Sequence, residues 1–314
     1  MILETFTSPI ILFFVLGMLA GFARSDLAIP EAMAKAMAIY LMAAIGLKGG
    51  VSIAENGITT ELLLAGAAGI MLGFLIPFPA YALFRSIGGL DRIDAAATAA
   101  HYGSVSLVTY ITAAEMFEAA GMPAASFMIA VLALMEMPAI ISGLSLAQAN
   151  PDRPRGQLLH EVLLNASVVL LMGSMVIGYI AGPEGFEPIY PAFASGYRGV
   201  LCLFLLDMGL IAARRLSETR KISLKLASLG ILLPIVNGVI GVGIGAVIGL
   251  NPGTAAILGV LAASASYIAV PAAMRLALPQ ADPGIYLSMS LGITFPFNVI
   301  FNIAFLSWLS QVIG

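Results

Sequence analysis

The sequence predicts an all-α protein that lives in a lipid bilayer, and two observations carry that reading. Hydrophobic residues make up 60% of the 314-residue chain and charged residues only 10%. A soluble domain carries roughly 25% charged residues to keep its surface hydrated, so the outer surface here must face hydrocarbon. The apolar residues also fall in runs long enough to span a bilayer, roughly 20 residues each. Mean hydropathy is +1.02. A net charge of −3 supplies no clustered basic face for a nucleic acid. Cys202 is a lone thiol in an apolar run, and His101 and His160 are too few for a histidine metal cluster. No HExxH, no GxSxG and no close pair of intramembrane acids occur, so an enzyme reading lacks material.

Taken in order, the leader MILETFTS has no basic n-region and reads as a lead into the first helix. Helices are expected near residues 7–23, 29–48, 60–84, 92–118 and 123–148. The polar stretch NPDRPRG at 150–156 follows. The next helices are expected near 157–181, 190–213, 222–249, 253–275 and 283–313. This gives ten transmembrane helices, with residues 1–156 as a first five-helix repeat and 157–314 as a second. An odd number per half forces the second half to enter the membrane from the opposite side, so the repeats are inverted. Internal similarity agrees: Ser104 and Ser106 recur 160 positions later as Ser264 and Ser266, and Pro123 as Pro283. At an offset of 163, Gly46-Leu47 falls on Gly209-Leu210 and Lys35 on Arg198.

Basic residues set the orientation. The loops after helices 1, 3, 5, 7 and 9 hold eleven, Arg24, Arg85, Arg153, Arg215 and Lys225 among them, whereas the opposite face holds only Lys48. Both termini are therefore expected outside the cytoplasm, in a multi-pass protein of the cytoplasmic membrane. Gly17 and Gly21, and Gly241, Gly245 and Gly249, recur every fourth residue, a spacing that lets helix backbones approach closely. Pro234 and Asn237 suggest a kink in helix 8.

The chemistry concentrates in two stretches, AHYGSVSLVTY at 100–110 and AASASYIAVPAAMR at 262–275. At about 1.5 Å per residue, Ser104 and Ser264 lie roughly 16–20 Å along helices 4 and 9, near the middle of a ~30 Å core. Gly103, the serines and Pro271 are poor material for continuous helix, so both helices are expected to break near the midplane. Each new half-helix would present free N–H groups and a partial positive charge. In inverted repeats two such tips meet, and a small anion binds there without a lysine or arginine. Gly103, Ser104, Ser106, Thr109, Ser264 and Ser266 are the substrate-binding candidates, and freed carbonyls suit a cation such as sodium. The competing reading is that the serines only pack small helices together. Two matched pairs favour the site.

Other polar groups lie within the spans. Glu136, beside Pro138, and Asp207 are intramembrane acids and so functional candidates. Either also suits a hydrogen-bonded structural role. Lys35, Lys48 and Arg198 read as snorkelling anchors, with Lys48 placed to attract anions at the outer mouth. His101 suits a helix-to-helix hydrogen bond or a proton relay. Thr294, Pro296 and Asn298 are expected to interrupt helix 10 and back the site.

At these residues the chain resembles the sodium-dependent bicarbonate permease family, the SbtA-like transporters best known from cyanobacteria. The resemblance rests on IPEA at 29–32, AIGLKGG at 44–50, GSVSLVT at 103–109 and AAS…PAAMRLALPQADP from 262 to 283. It implies two inverted five-helix repeats, a homotrimer and elevator-like movement. Helices 3–5 and 8–10 would form a core, and helices 1, 2, 6 and 7 a gate. It implies secondary transport of bicarbonate with sodium between the crossed breaks, at Gly103, Ser106, Thr109, Ser264 and Ser266. Thr109, Ser264, Tyr267, Glu136 and Asn298 are the coupling-ion candidates. Tyr267 stands where the sodium-driven members carry an aspartate, and Lys48 where they carry a threonine. The stretch between helices 5 and 6 is shorter than in cyanobacterial members, where a PII-like cytoplasmic regulator binds. The alternative is a proton-coupled or uncoupled transporter of another small anion, such as a carboxylate, with Glu136 or Asp207 carrying the proton.

Overall fold

The computed structural model describes residues 9–147, 166–218, 222–267 and 269–314. Among these the chain is helical, with no strand. The helices of the first half are α1 Pro9–Phe22, α2 Glu31–Asn56, α3 Thr60–Ser86, α4 Arg92–Gly103, α5 Leu107–Ala119 and α6 Met128–Ala147. Those of the second are α7 Ala166–Phe186, α8 Tyr197–Glu218, α9 Leu224–Val247, α10 Pro252–Ala262, α11 Ala269–Ala277 and α12 Pro283–Ile313. Five of them, α2, α3, α6, α9 and α12, are long and apolar enough to cross a membrane singly. The 150–156 stretch, with His160, lies outside the described residues.

Local chemistry explains where many helices start. Side chains of Thr59, Asp91, Ser223, Asn251 and Asp282 each accept a hydrogen bond from a first-turn N–H of α3, α4, α9, α10 and α12. These are the residue types that best satisfy the donors a helix start leaves free. Gly182 in α7 adopts φ 62°, a left-handed conformation that favours glycine, and turns the helix just before Pro183.

Packing of the long helices is backbone against backbone at glycine. A Cβ on Gly50 would collide with the Met175 carbonyl oxygen, and one on Gly178 with that of Leu47, so α2 and α7 interlock reciprocally. Gly17 against Leu206 and Gly209 against Phe14 do the same for α1 and α8. Gly241 and Gly245 seat α9 on Gly259 and Ala255 of α10, and Gly69 and Gly73 seat α3 on Val131 and Met135 of α6. Such contacts give dispersion energy where lipid offers no hydrophobic drive for association.

Several expectations change. Helix 2 does not stop at 48: α2 continues to Asn56, because Gly49 and Gly50 serve contact with neighbours rather than termination. Gly249 does not continue the Gly241–Gly245 contact: it lies past the end of α9 at φ 80° with open space around it, so it ends the helix. Thr294, Pro296 and Asn298 interrupt the α-helical pattern of helix 10 without ending it: π-helical turns occupy Ser288–Thr294 and Asn298–Asn302, and α12 runs on to Ile313. Widened turns of this kind often accompany functional sites.

Candidate functional site at two helix breaks

The first break begins where α4 stops at Gly103. A Cβ on Gly103 would collide with the Pro77 ring of α3, so this glycine serves close packing. Ser104 is extended, at φ −92° and ψ −178°. Ser106 then caps α5, its Oγ accepting from the Thr109 N–H at 3.2 Å and from the Thr109 hydroxyl at 2.8 Å. Its carbonyl accepts from the Tyr110 N–H at 3.0 Å. The N–H groups of Leu107 and Val108 in the first turn have no partner inside the helix and point back into the break. The positive end of the α5 dipole lies there too.

The second break follows α10. Ser264 donates its hydroxyl to the Val260 carbonyl at 2.7 Å, and its N–H bonds to the Leu261 carbonyl at 3.2 Å. Ser266 donates its N–H to the His101 carbonyl of α4 at 2.8 Å. That bond ties the two breaks together. Around it, α5 packs on α10, while Ala96, Ala97 and Ala100 of α4 share an apolar cluster with Val270, Ala273 and Met274 of α11.

Helix α12 supports both breaks from behind. Asn298 donates its Nδ2 to the Ala263 carbonyl at 2.8 Å, and its Oδ1 accepts from Asn302 at 2.8 Å. Thr294 donates to the Gly230 carbonyl at 2.8 Å, so the Tyr102 hydroxyl, 2.6 Å away, donates to Thr294. Tyr102 is in the last turn of α4.

Buried polar atoms almost always have partners, and four beside these breaks have none among the described residues: Ser104 Oγ, Tyr267 Oη, His101 Nε2 and Glu136 Oε2. Tyr267 is held edge-on by Phe295 at 5.2 Å, and Phe295 by Phe14 at 5.2 Å. Its buried hydroxyl lies beside Ser106 without reaching hydrogen-bond geometry. His101 uses Nδ1–H on the Ala97 carbonyl of its own helix at 2.7 Å, which leaves a lone pair on Nε2. Its ring stacks on Tyr286 at 4.4 Å. The helix-to-helix bond at this residue is therefore made by its carbonyl, not its imidazole. Glu136 follows Met135, whose carbonyl abuts Gly73, and Gly73 in turn abuts Gly103. Glu136 thus stands level with the first break. Asp207 is buried on α8.

Sequence reasoning missed one pair. Arg198 does not simply snorkel: its Nε bonds Glu115 Oε2 of α5 at 2.6 Å. Opposite charges in two apolar runs were the available signal. Beside it the Lys48 ammonium sits over the Tyr197 ring, 5.1 Å from its centre.

Chemically, the junction offers neutral donors and hydroxyl or carbonyl oxygens. Among the described residues no His, Cys, Asp and Glu cluster is arranged to hold a metal ion. The donors suit a small anion, and the oxygens suit a hard monovalent cation. No curated protein matches the chain. A family model described as the Na+-dependent bicarbonate transporter superfamily matches residues 9–311, and the chain belongs to that superfamily, which is one of membrane transporters and not of enzymes.

Proposed function

We propose that the protein is a secondary active transporter that moves bicarbonate or a similar small anion inward with sodium, and that the anion binds where the two breaks meet. The observation that carries this reading is the Ser266 to His101 bond, which joins two breaks that each hold an unpartnered buried hydroxyl, Ser104 Oγ and Tyr267 Oη. A charge of one is stabilised there by fixed dipoles, without a buried counter-ion to desolvate. Ser104, Ser106, Leu107 and Val108 supply donors, and Gly103 lets the break close on Pro77. Sodium is cargo in this scheme. Ser264 Oγ, Thr109 Oγ1 and Asn298 Oδ1 each keep a lone pair that such an ion accepts, since each makes only one or two of its bonds.

Ten membrane crossings in two inverted repeats fit the pairing of helices. α1 with α8 and α2 with α7 are reciprocal glycine contacts, as a two-fold relation between halves requires. Each broken segment, α4–α5 and α10–α11, then counts as one crossing. Core and gate bundles fit the same grouping, with the Glu115–Arg198 contact between them and the Lys48–Tyr197 contact inside the gate. The excess of basic residues on one face supports both termini outside the cytoplasmic membrane. A homotrimer and a PII-like cytoplasmic regulator rest on family resemblance.

A second reading, proton coupling, is favoured by one observation: the unpartnered Glu136 oxygen level with the break. Uptake of labelled bicarbonate by purified protein in liposomes separates the two. Accumulation driven by an imposed sodium gradient supports the first. Accumulation that ignores sodium and follows a proton gradient supports the second. Uptake no greater than that of protein-free liposomes under every gradient overturns both.

A further inference from the structure

Tyr267, a coupling-ion candidate by sequence, takes no part in the transport scheme above, yet its position is tightly determined. It follows Ser266, whose N–H is fixed on the His101 carbonyl. The Phe295 ring holds its ring edge-on and is itself backed by Phe14. Its hydroxyl is buried and unpartnered beside Ser106. The Ser104 hydroxyl, at 0% exposure, is unpartnered too. Ser106 Oγ already accepts two hydrogen bonds from Thr109, so its own proton is free to donate. The next groups along the chain are the Leu107 and Val108 N–H groups at the positive end of α5.

Each of these groups is neutral and has a hydrogen to give. A sodium ion needs several oxygen lone pairs, usually with negative charge among them, and a helix N-terminus repels it. An oxyanion takes all of these donors at once. We propose that Tyr267 is an anion ligand, its phenolic O–H donating with Ser104 and Ser106 to the transported oxyanion, so that this corner holds the anion with no cation between. The proposal rests on the transport reading above and deepens it. Any sodium that is carried binds at the Ser264, Thr109 and Asn298 oxygens instead.

The test is isothermal titration of purified full-length protein with bicarbonate, in sodium buffer and in choline buffer. Wild type is expected to bind in both, with Kd values within about threefold of each other. Tyr267→Phe keeps the ring and its clamp but loses the donor. A bond to a charged partner is lost, so affinity falls about tenfold or more in both buffers. Ser104→Ala, a smaller change in an extended segment, weakens binding in the same sodium-independent way. Tyr267→Asp abolishes binding in choline and recovers part of it in sodium. Tyr267→Phe and Ser104→Ala binding as wild type does, or losing affinity in sodium alone, overturns the proposal and leaves the transport reading standing. So does wild-type binding that vanishes in choline. A wild type that binds bicarbonate in neither buffer overturns the transport reading, and this proposal with it.

Discussion

Ser104 and Ser264 occupy matched positions in the two halves, yet their hydroxyls are used differently. Ser264 gives its proton to Val260, one turn back in α10. Ser104, just past α4, has an unpartnered hydroxyl at 0% exposure. Position 103 is Gly where the second half has Ala263, and position 138 is Pro where it has Asn298. Asn298 covers the carbonyl of Ala263. Pro138 has no amide with which to do the same for the first break. The serine of the second break is thus internally satisfied, which leaves Tyr267 as that break's free donor, while the first break keeps its serine donors for a ligand. Matched residues do not give matched chemistry, because one amide can decide which polar groups remain free.

The largest test of that contrast is Gly103→Ala beside Ala263→Gly. The first forces a methyl into the Pro77 ring, an overpacking cost of about 1–3 kcal/mol, with uptake abolished. The second costs no more than about 1 kcal/mol. Thermal unfolding midpoints in detergent, with liposome uptake, read both. Next is Ser106→Ala against Ser266→Ala. Ser106 is both helix cap and donor, so about 1 kcal/mol of stability is lost and uptake falls at least tenfold. Ser266→Ala is expected to change uptake less than threefold, since its contact across the junction is made by the backbone. Equal losses for the two would break the comparison.

Smaller effects sharpen it. Ser264→Ala is expected to cost about 1 kcal/mol of stability and to raise the sodium concentration that uptake requires, with little change in bicarbonate affinity. Ser104→Ala is expected to lower bicarbonate affinity with little change in stability, because no bond inside the protein is lost. Smallest is Glu115→Gln. Arg198 is 58% exposed, so solvent screens the pair and removing it costs about 1 kcal/mol or less. The loss is expected to shrink in high salt, measured as the shift of the unfolding midpoint with ionic strength.

Much of this was legible in the residues. Low charge and long apolar runs specify membrane helices, because hydrocarbon tolerates little else. The helix starts at Asp91, Ser223 and Asn251 follow from side chains that bond their own first turn. Gly103-Ser104 and Ser264 mark places where helix is locally weak, and the helix does stop there. Glycine was harder to read: Gly50 carries a helix through a close crossing, whereas Gly249 ends one.

By itself, then, the sequence determined that this is a helical membrane protein with two weak points at matched places. Those features depend on composition and on interactions a few residues apart. Only the tertiary structure decided that Ser266 reaches His101, that Glu115 meets Arg198 and that Ser104 is left without a partner. Such outcomes depend on which distant groups packing brings within about 3 Å, the reach of a hydrogen bond. No local pattern encodes that distance.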